Sequence, residues 1–304
     1  MLLAVCPNPS VDTFVWVESL APGKVHRASR EKRYPGGKGI HVALAAAELG
    51  EEVTLLGFWG GETGRWIKNE CNKRNIHCIG PELKDWSRSC ITFKSNGVYD
   101  DTELLGCGPE ISPAVYLEFK NIFNGHVNNS GVITLSGSWP EGAPSFGYAE
   151  LIKEAKKFDK PVFLDATGES FQLGLKEKPY AIHLNDAESK ELSNLSDMHD
   201  IIDHFRQYAE LVAITAGKEG LFLGINDELI HGNVDIDRIY STVGSGDCLT
   251  AGLAIGFMKK MDTEKMLKLG VACGGANCLR EDLGMLYKHD VEKLLKRIKI
   301  NKNC

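Results

Sequence analysis

The chain has 304 residues, 43% hydrophobic and 25% charged, and a formal net charge of -6. Such a composition fits a soluble globular protein with one large domain or two small ones, and excludes disordered, collagen-like and membrane-spanning classes. Lys plus Arg totals 35 against 41 Asp plus Glu, so nucleic acid, which demands a cationic surface, is not expected as the main partner.

From the N-terminus, Met1-Leu2-Leu3-Ala4-Val5-Cys6 is a short apolar run with no basic start, expected to be a first strand and not a signal peptide. Further strands are predicted at Val53–Gly57, Gly131–Leu135, Pro161–Asp165, Tyr180–Leu184, Leu211–Thr215 and Gly220–Ile225, where β-branched and apolar runs are bounded by turn residues. Helical spacing predicts Ile40–Leu49, Glu62–Arg74, Pro144–Phe158, Asp186–Leu192, Met198–Tyr208, Asp247–Lys260, Thr263–Leu279 and Lys288–Lys299. The basic, amphipathic stretch from Lys293 to Lys299 reads as the solvated face of a terminal helix and not as a membrane contact.

Strand and helix alternate, which predicts an α/β fold with a mostly parallel central sheet covered on both faces. Two segments break the rhythm, Thr13–Tyr34 and Ser89–Leu105, both rich in β-branched or aromatic residues and neither followed by a helix. They are expected to form a small antiparallel lid sheet inserted into one domain spanning residues 1–304; an irregular loop of that length is uncommon.

The 9 cysteines (Cys6, Cys71, Cys78, Cys90, Cys107, Cys248, Cys273, Cys278, Cys304) are scattered, with no C-x-x-C pair and no zinc spacing. They are expected to be reduced thiols of a cytoplasmic protein. No apolar run reaches the roughly 18 residues that a spanning helix needs.

Glycines cluster at Gly36-Gly37-Lys38-Gly39 and again at Gly244-Ser245-Gly246, which is followed by Asp247 and a run of small and apolar residues. A β-prone end running into Gly-Ser-Gly and then a helix points several backbone N–H groups at one spot, at the positive end of a helix dipole. That is an anion hole. Asp247 either caps its own helix or accepts the proton of a hydroxyl attacking a phosphoryl group, while the N–H groups hold the charge that spreads over the phosphate. The phosphate-binding G-x-x-x-x-G-K-[ST] and the dinucleotide G-x-G-x-x-G are both absent.

Tyr34-Pro35-Gly36-Gly37-Lys38-Gly39-Ile40-His41-Val42-Ala43 and Val243-Gly244-Ser245-Gly246-Asp247 resemble the two signatures of the ribokinase-like PfkB carbohydrate kinase family. Asn8-Pro9-Ser10-Val11-Asp12, Gly106-x-Gly108-Pro109-Glu110 and Ser136-Gly137-Ser138 are similar to the branch that contains 1-phosphofructokinase and tagatose-6-phosphate kinase. The resemblance implies a three-layer α/β/α fold with a β-sheet lid, ATP and Mg²⁺ as cofactors, and a homodimer formed through the lid, for which Phe14 and Trp16 would supply an exposed apolar face.

It also implies roles. Asp247 becomes the base, and Gly244, Ser245 and Gly246 the anion hole. Asp12, Gly36, Gly37, Lys38 and His41 fall on the sugar side; Arg88, Ser136 and Ser138 on the substrate phosphate, where an Arg fork suits a dianion. Arg27 is a further candidate, reaching toward a partner subunit. Asn185, Thr215, Gly217, Gly220, Gly275 and Asn277 fall on the nucleotide side, with Glu188 organising Mg²⁺ through water. Asn185 with Glu188 three residues on is equally a helix-capping pattern.

Two positions depart from the family's pattern. His41 stands where the branch usually has Asn, and His183-Leu184-Asn185 replaces a Lys-Pro-Asn, which puts in question a cation facing the nucleotide phosphates. The activity implied is ATP-dependent phosphorylation of a phosphorylated ketohexose, D-fructose 1-phosphate first. The alternatives are tagatose 6-phosphate, an unphosphorylated sugar or nucleoside, and a catalytically silent sugar-phosphate sensor.

Overall fold

The structure is a computed structural model that describes residues 1–282 and 284–302. The chain opens with β1 (Leu2–Cys6), β2 (Ser10–Trp16), β3 (Arg30–Gly36), α1 (Lys38–Glu48), β4 (Val53–Gly57) and β5 (Trp59–Gly60). There follow α2 (Gly61–Asn72), β6 (Ile76–Ile79), β7 (Glu82–Leu83), β8 (Arg88–Lys94), β9 (Thr102–Leu105), α3 (Pro113–Val127) and β10 (Val132–Ser136). The middle comprises α4 (Gly147–Lys156), β11 (Val162–Asp165), α5 (Gly168–Lys176), β12 (Ala181–Asn185), α6 (Asp186–Ser193), α7 (Met198–Arg206) and β13 (Leu211–Thr215). A short 3-10 turn leads to β14 (Leu221–Ile225) and β15 (Glu228–Asn233), then α8 (Ser245–Met258), α9 (Thr263–Cys278), α10 (Lys288–Leu295) and β16 (Lys299–Asn301).

The main sheet has 10 strands in the order β16-β15-β14-β13-β12-β11-β10-β1-β4-β6. From β6 to β13 every pairing is parallel, while β13 to β16 pair antiparallel. Every residue of β1, β4 and β10 is buried, as expected of strands covered on both faces. One apolar core lies against α1, α8 and α9, the other against α3, α4, α5 and α7. The three-layer α/β/α arrangement expected from the alternation is therefore present.

The lid segments form a second sheet of 4 strands in the order β3-β2-β8-β9. It is mixed and not purely antiparallel, because β2 and β8 run parallel; two strands brought together by remote segments are free of the hairpin constraint. Central placement of β2 also turns Phe14 inward, edge-on to Tyr34 and Trp16, so Phe14 is not the exposed face expected. On the lid, Leu104 and Leu105 of the edge strand β9 are exposed instead. Lid strand β3 is tied to the segment after α9 by Lys32–Asp282 at 3.3 Å and Arg30–Glu281 at 3.2 Å.

The last helix is shorter than its basic pattern predicts: it stops at Leu295, and Lys299–Asn301 adds a strand to β15. Among the described residues Cys6, Cys71, Cys78, Cys90, Cys107, Cys248, Cys273 and Cys278 are free thiols, and Cys304 lies outside the described residues. No described helix is long and apolar enough to cross a membrane. Phe119, fully buried on α3, stacks on Phe58 at 4.4 Å between ring centroids. Phe119→Ala is expected to cost about 3–5 kcal/mol of folding stability through the cavity it leaves, measured as a lowered urea midpoint.

Candidate active site

Helix α8 starts at Gly244, whose φ of 83° places it in the left-handed region that glycine tolerates and other residues adopt at a cost. No side chain caps this helix. The N–H of Ser245 goes to the carbonyl of Thr242 and that of Cys248 to the carbonyl of Gly244. The N–H groups of Gly246 and Asp247, in the first turn, have no intrahelical acceptor. By contrast α3, α6, α7 and α9 are capped by Ser112, Asn185, Asp197 and Asp262. Asp247 does not bond its own helix end: its Oδ2 accepts a hydrogen bond from His41 Nδ1 at 2.7 Å. The carboxylate is 6% exposed. The first-turn amides are left open where the anion hole is expected, and Ser245 Oγ is turned away to donate to the carbonyl of Gly274.

His41 is 4% exposed, packed against Gly284 so closely that a Cβ there would overlap the ring. The sequence reading puts His41 on a sugar hydroxyl; the structure puts it on Asp247. The imidazole reaches across from α1 to the first turn of α8 and fills that gap. Burial works against its charged form, but the hydrogen bond and charge of Asp247 prevail and raise its pKa above the ordinary value.

A second buried carboxylate lies nearby. Asp165, the last residue of β11, accepts from Lys38 Nζ at 2.7 Å, His183 Nδ1 at 2.9 Å and Thr250 Oγ1 at 3.5 Å. Burial opposes its ionisation, yet the Lys38 ammonium and the His183 ring hold it below the usual carboxylate range. Lys38 is in turn raised, first by Asp165. His183 extends the chain to Thr215 Oγ1 at 3.2 Å. The ring that replaces the family's usual Lys thus serves a carboxylate inside the protein.

Of the residues expected on the sugar side, Asp12 stands on β2, its Oδ1 accepting from Ser10 Oγ at 2.6 Å. Gly36, paired across the strand with Ser10, lies where any Cβ would collide with the Asp12 carboxylate. Gly37 starts α1, and Lys38 is its first residue. Arg88 opens β8 opposite Ser10, with Nε donating to the carbonyl of Asn8 at 3.3 Å. Ser136 is fully buried and its Oγ has no partner, whereas Ser138 and Arg27 are exposed.

Beyond the N-terminus of α8 opens a cavity of about 610 Å³, lined by Asn185, Thr215, Gly217, Gly220, Ser245, Gly246 and Gly275 among others. Val234, Ile236, Leu249 and Val271 give it apolar walls. Asn277 is not among its lining residues: it is 1% exposed, with its amide donating to the carbonyl of Met285. Asn277, next to last in α9, is buried and held by that bond. Asn185 and Glu188 form a reciprocal capping box on α6, so one oxygen of each is committed to backbone N–H groups.

A profile of the pfkB family carbohydrate kinases matches residues 9–286. The chain belongs to that family. It is 30% identical to the 1-phosphofructokinase of Bacillus subtilis (strain 168), with 99% of this chain and 100% of the relative aligned. It is 29% identical to the tagatose-6-phosphate kinase of Staphylococcus epidermidis (strain ATCC 12228), covering 99% of both. Phosphofructokinase-2 from Escherichia coli, solved in complex with substrates and products, has the same fold, with a TM-score of 0.87 at 23% identity over 97% of this chain and 98% of that one.

Within this carbohydrate kinase the structure adds Asp165 and Thr250 to the residues legible from sequence. Asp165 ends a strand like many turn residues, and only the fold brings Lys38 to it. A carboxyl held below its ordinary value adds stability above about pH 4 and loses it as pH falls through the depressed value. Lys38→Met removes that cation; because Lys38 is partly open to water, the cost is about 2–3 kcal/mol, below that of a fully buried pair. Urea midpoints are expected to separate parent and variant at pH 7 and still at pH 4, and to converge only as pH falls further through the depressed value; a separation unchanged at the lowest pH would contradict the ion pair.

Proposed function

We propose that this carbohydrate kinase transfers the γ-phosphoryl group of ATP to a hydroxyl of a phosphorylated ketohexose, D-fructose 1-phosphate first, giving a bisphosphate. The observation that carries the reading is the buried Asp247 in the uncapped first turn of α8, whose Ser245 and Gly246 line the cavity. Asp247 takes the proton of the acceptor hydroxyl, whose oxygen bonds to the γ-phosphorus as the bond to the β-phosphate oxygen breaks and ADP leaves. The N–H groups of Gly246 and Asp247 hold the charge on the phosphoryl oxygens.

Arg88 and the unpartnered hydroxyl of Ser136 are assigned to the phosphate already on the sugar, with Ser138 at the rim, and Asp12 and Lys38 to the sugar itself. The apolar walls beside Gly275 suit an adenine ring, and Asn185, Thr215, Gly217 and Gly220 lie along the phosphates. Glu188 keeps one carboxylate oxygen outside its capping bond, which fits a Mg²⁺ held chiefly by nucleotide phosphates and water. Among the described residues no group of three or more His, Cys, Asp or Glu could hold a metal ion, so the ion would arrive with the nucleotide and neutralise its charge. The chain is read as one kinase domain with the lid inserted, acting in the cytoplasm, consistent with its free thiols. A homodimer through the lid is supported by Leu104 and Leu105 on the unpaired edge of β9.

Tagatose 6-phosphate is the second reading, favoured by the 29% identity to a tagatose-6-phosphate kinase. ATP turnover over a panel of free and phosphorylated sugars tests both. Asp247→Asn is expected to lower kcat by about 10²–10⁴, and Arg88→Ala to raise KM for the sugar phosphate with a smaller effect on ATP. Unchanged KM in the Arg88 variant, with turnover of free sugars, would point to an unphosphorylated substrate. Comparable turnover in Asp247→Asn would remove the base.

A further inference from the structure

We propose that His41 is the positioning residue of the proton-accepting carboxylate: its Nδ1–H fixes Asp247 through Oδ2, and loss of the second ring proton switches the carboxylate from ion-paired to proton-accepting. This rests on the reading of Asp247 as the base. The 2.7 Å bond joins residues 206 positions apart, both buried. It commits Oδ2 and leaves Oδ1 as the oxygen that can meet a substrate hydroxyl. Among the described residues His41 Nε2 is buried and has no hydrogen-bond partner, so the ring passes no proton on to another described side chain and its one hydrogen bond is to Asp247.

The surroundings decide how such a ring titrates. From α8, Asp247 favours the cation; from β2, Asp12 adds to it; from its own helix α1, Lys38 opposes it, as does burial. Close by are two thiols, Cys6 on β1, pushed up to about 11 by burial, and Cys248 on α8, also raised by burial, while His183 of β12, against Gly246, is bonded to Asp165. Both thiols are neutral over the working range. Asp282, near Gly284, is engaged by Lys32 and Tyr287. An unpartnered Nε2–H in the cation disfavours charge, because a buried donor with no acceptor is costly. The 2.7 Å bond and the charge of Asp247 outweigh the opposing forces, so the ring holds its second proton above the ordinary imidazole value. As the imidazolium, His41 pairs its full charge with Asp247 and makes the carboxylate a weaker base; as the neutral Nδ1–H tautomer it still orients the carboxylate but no longer neutralises it.

Two substitutions separate orientation from titration. In His41→Asn the amide N–H can stand where Nδ1 stands, keeping a hydrogen bond and losing the titration; in His41→Gln the amide lies one carbon farther out and the bond is misplaced. With D-fructose 1-phosphate and ATP, kcat of the parent is expected to rise with pH through the ring's titration, above the ordinary imidazole range. That limb is expected to vanish in His41→Asn, with kcat within about tenfold of the parent plateau, and kcat of His41→Gln to fall by at least about tenfold with KM little changed. Superimposable pH profiles of parent and His41→Asn would overturn the proposal. A readout independent of turnover is the NMR titration of the His41 ring in parent and Asp247→Asn. The midpoint is expected to fall by about one pH unit or more when the carboxylate is removed, and an unmoved midpoint would also overturn it. Retained turnover in Asp247→Asn beside a shifted midpoint would instead reject Asp247 as base while leaving the pair itself intact.

Discussion

A carboxylate buried away from water must find opposite charge and donors or lose its ionisation. Asp165 meets that requirement by drawing on three separate elements: Lys38 at the start of α1, His183 on β12 and Thr250 one turn into α8. Through His183 it also reaches the end of β13 at Thr215. None of these elements can shift without leaving a buried charge short of a partner. The first turns of α1 and α8, which bring His41 to Asp247, are therefore held in register by an interaction that itself touches neither. Fixed dipoles at fixed positions are what electrostatic stabilisation of a developing charge requires.

Much of this was legible in the amino-acid sequence where the signal is local. Gly244-Ser245-Gly246-Asp247 announces an open helix N-terminus because the glycines and the acid are neighbours. The alternating strands and helices announce the main sheet for the same reason. Helix α3 escaped notice although Ser112-Pro113 is a helix start and Tyr116, Phe119, Phe123 and Val127 share a face; its loop-like flanks obscured the period. Helix α5 is short and buries only Phe171, Gly174 and Leu175, too few apolar positions to mark a face. What local reading could not supply is pairing across distance. Lys38 and Asp165 are 127 residues apart and His41 and Asp247 are 206 apart. His41 read as a sugar contact and Asn277 as a nucleotide contact because of their places in the family's pattern; in each case the side chain turns to a partner outside its own helix.

In the proposed function an acidic molecule handles anions through a small number of donors, at the open start of α8 and on Lys38 and Arg88. The ties between lid and body follow a different logic. Arg30–Glu281 and Lys32–Asp282 are solvent-exposed pairs, worth at most about 1 kcal/mol each. Pairs that weak can break and re-form without threatening the fold. They run from lid strand β3 to the segment whose Gly284 rests on His41, so lid and carboxylate share a neighbour.

The central position of β1 also orders events during synthesis. Its partner β4 follows within a few dozen residues, but the other edge of β1 waits for Val132–Ser136, and the ion pair of Lys38 waits for Asp165. Helix α8, which carries Asp247, is added after strands β1 to β15 have all been made. A nascent chain leaving the ribosome thus completes most of its sheet with a long groove where α8 will lie, exposing apolar surface of the kind that chaperones recognise. On the proposed assignment the base arrives late in translation, so a chain terminated before α8 would lack Asp247 and its open helix start.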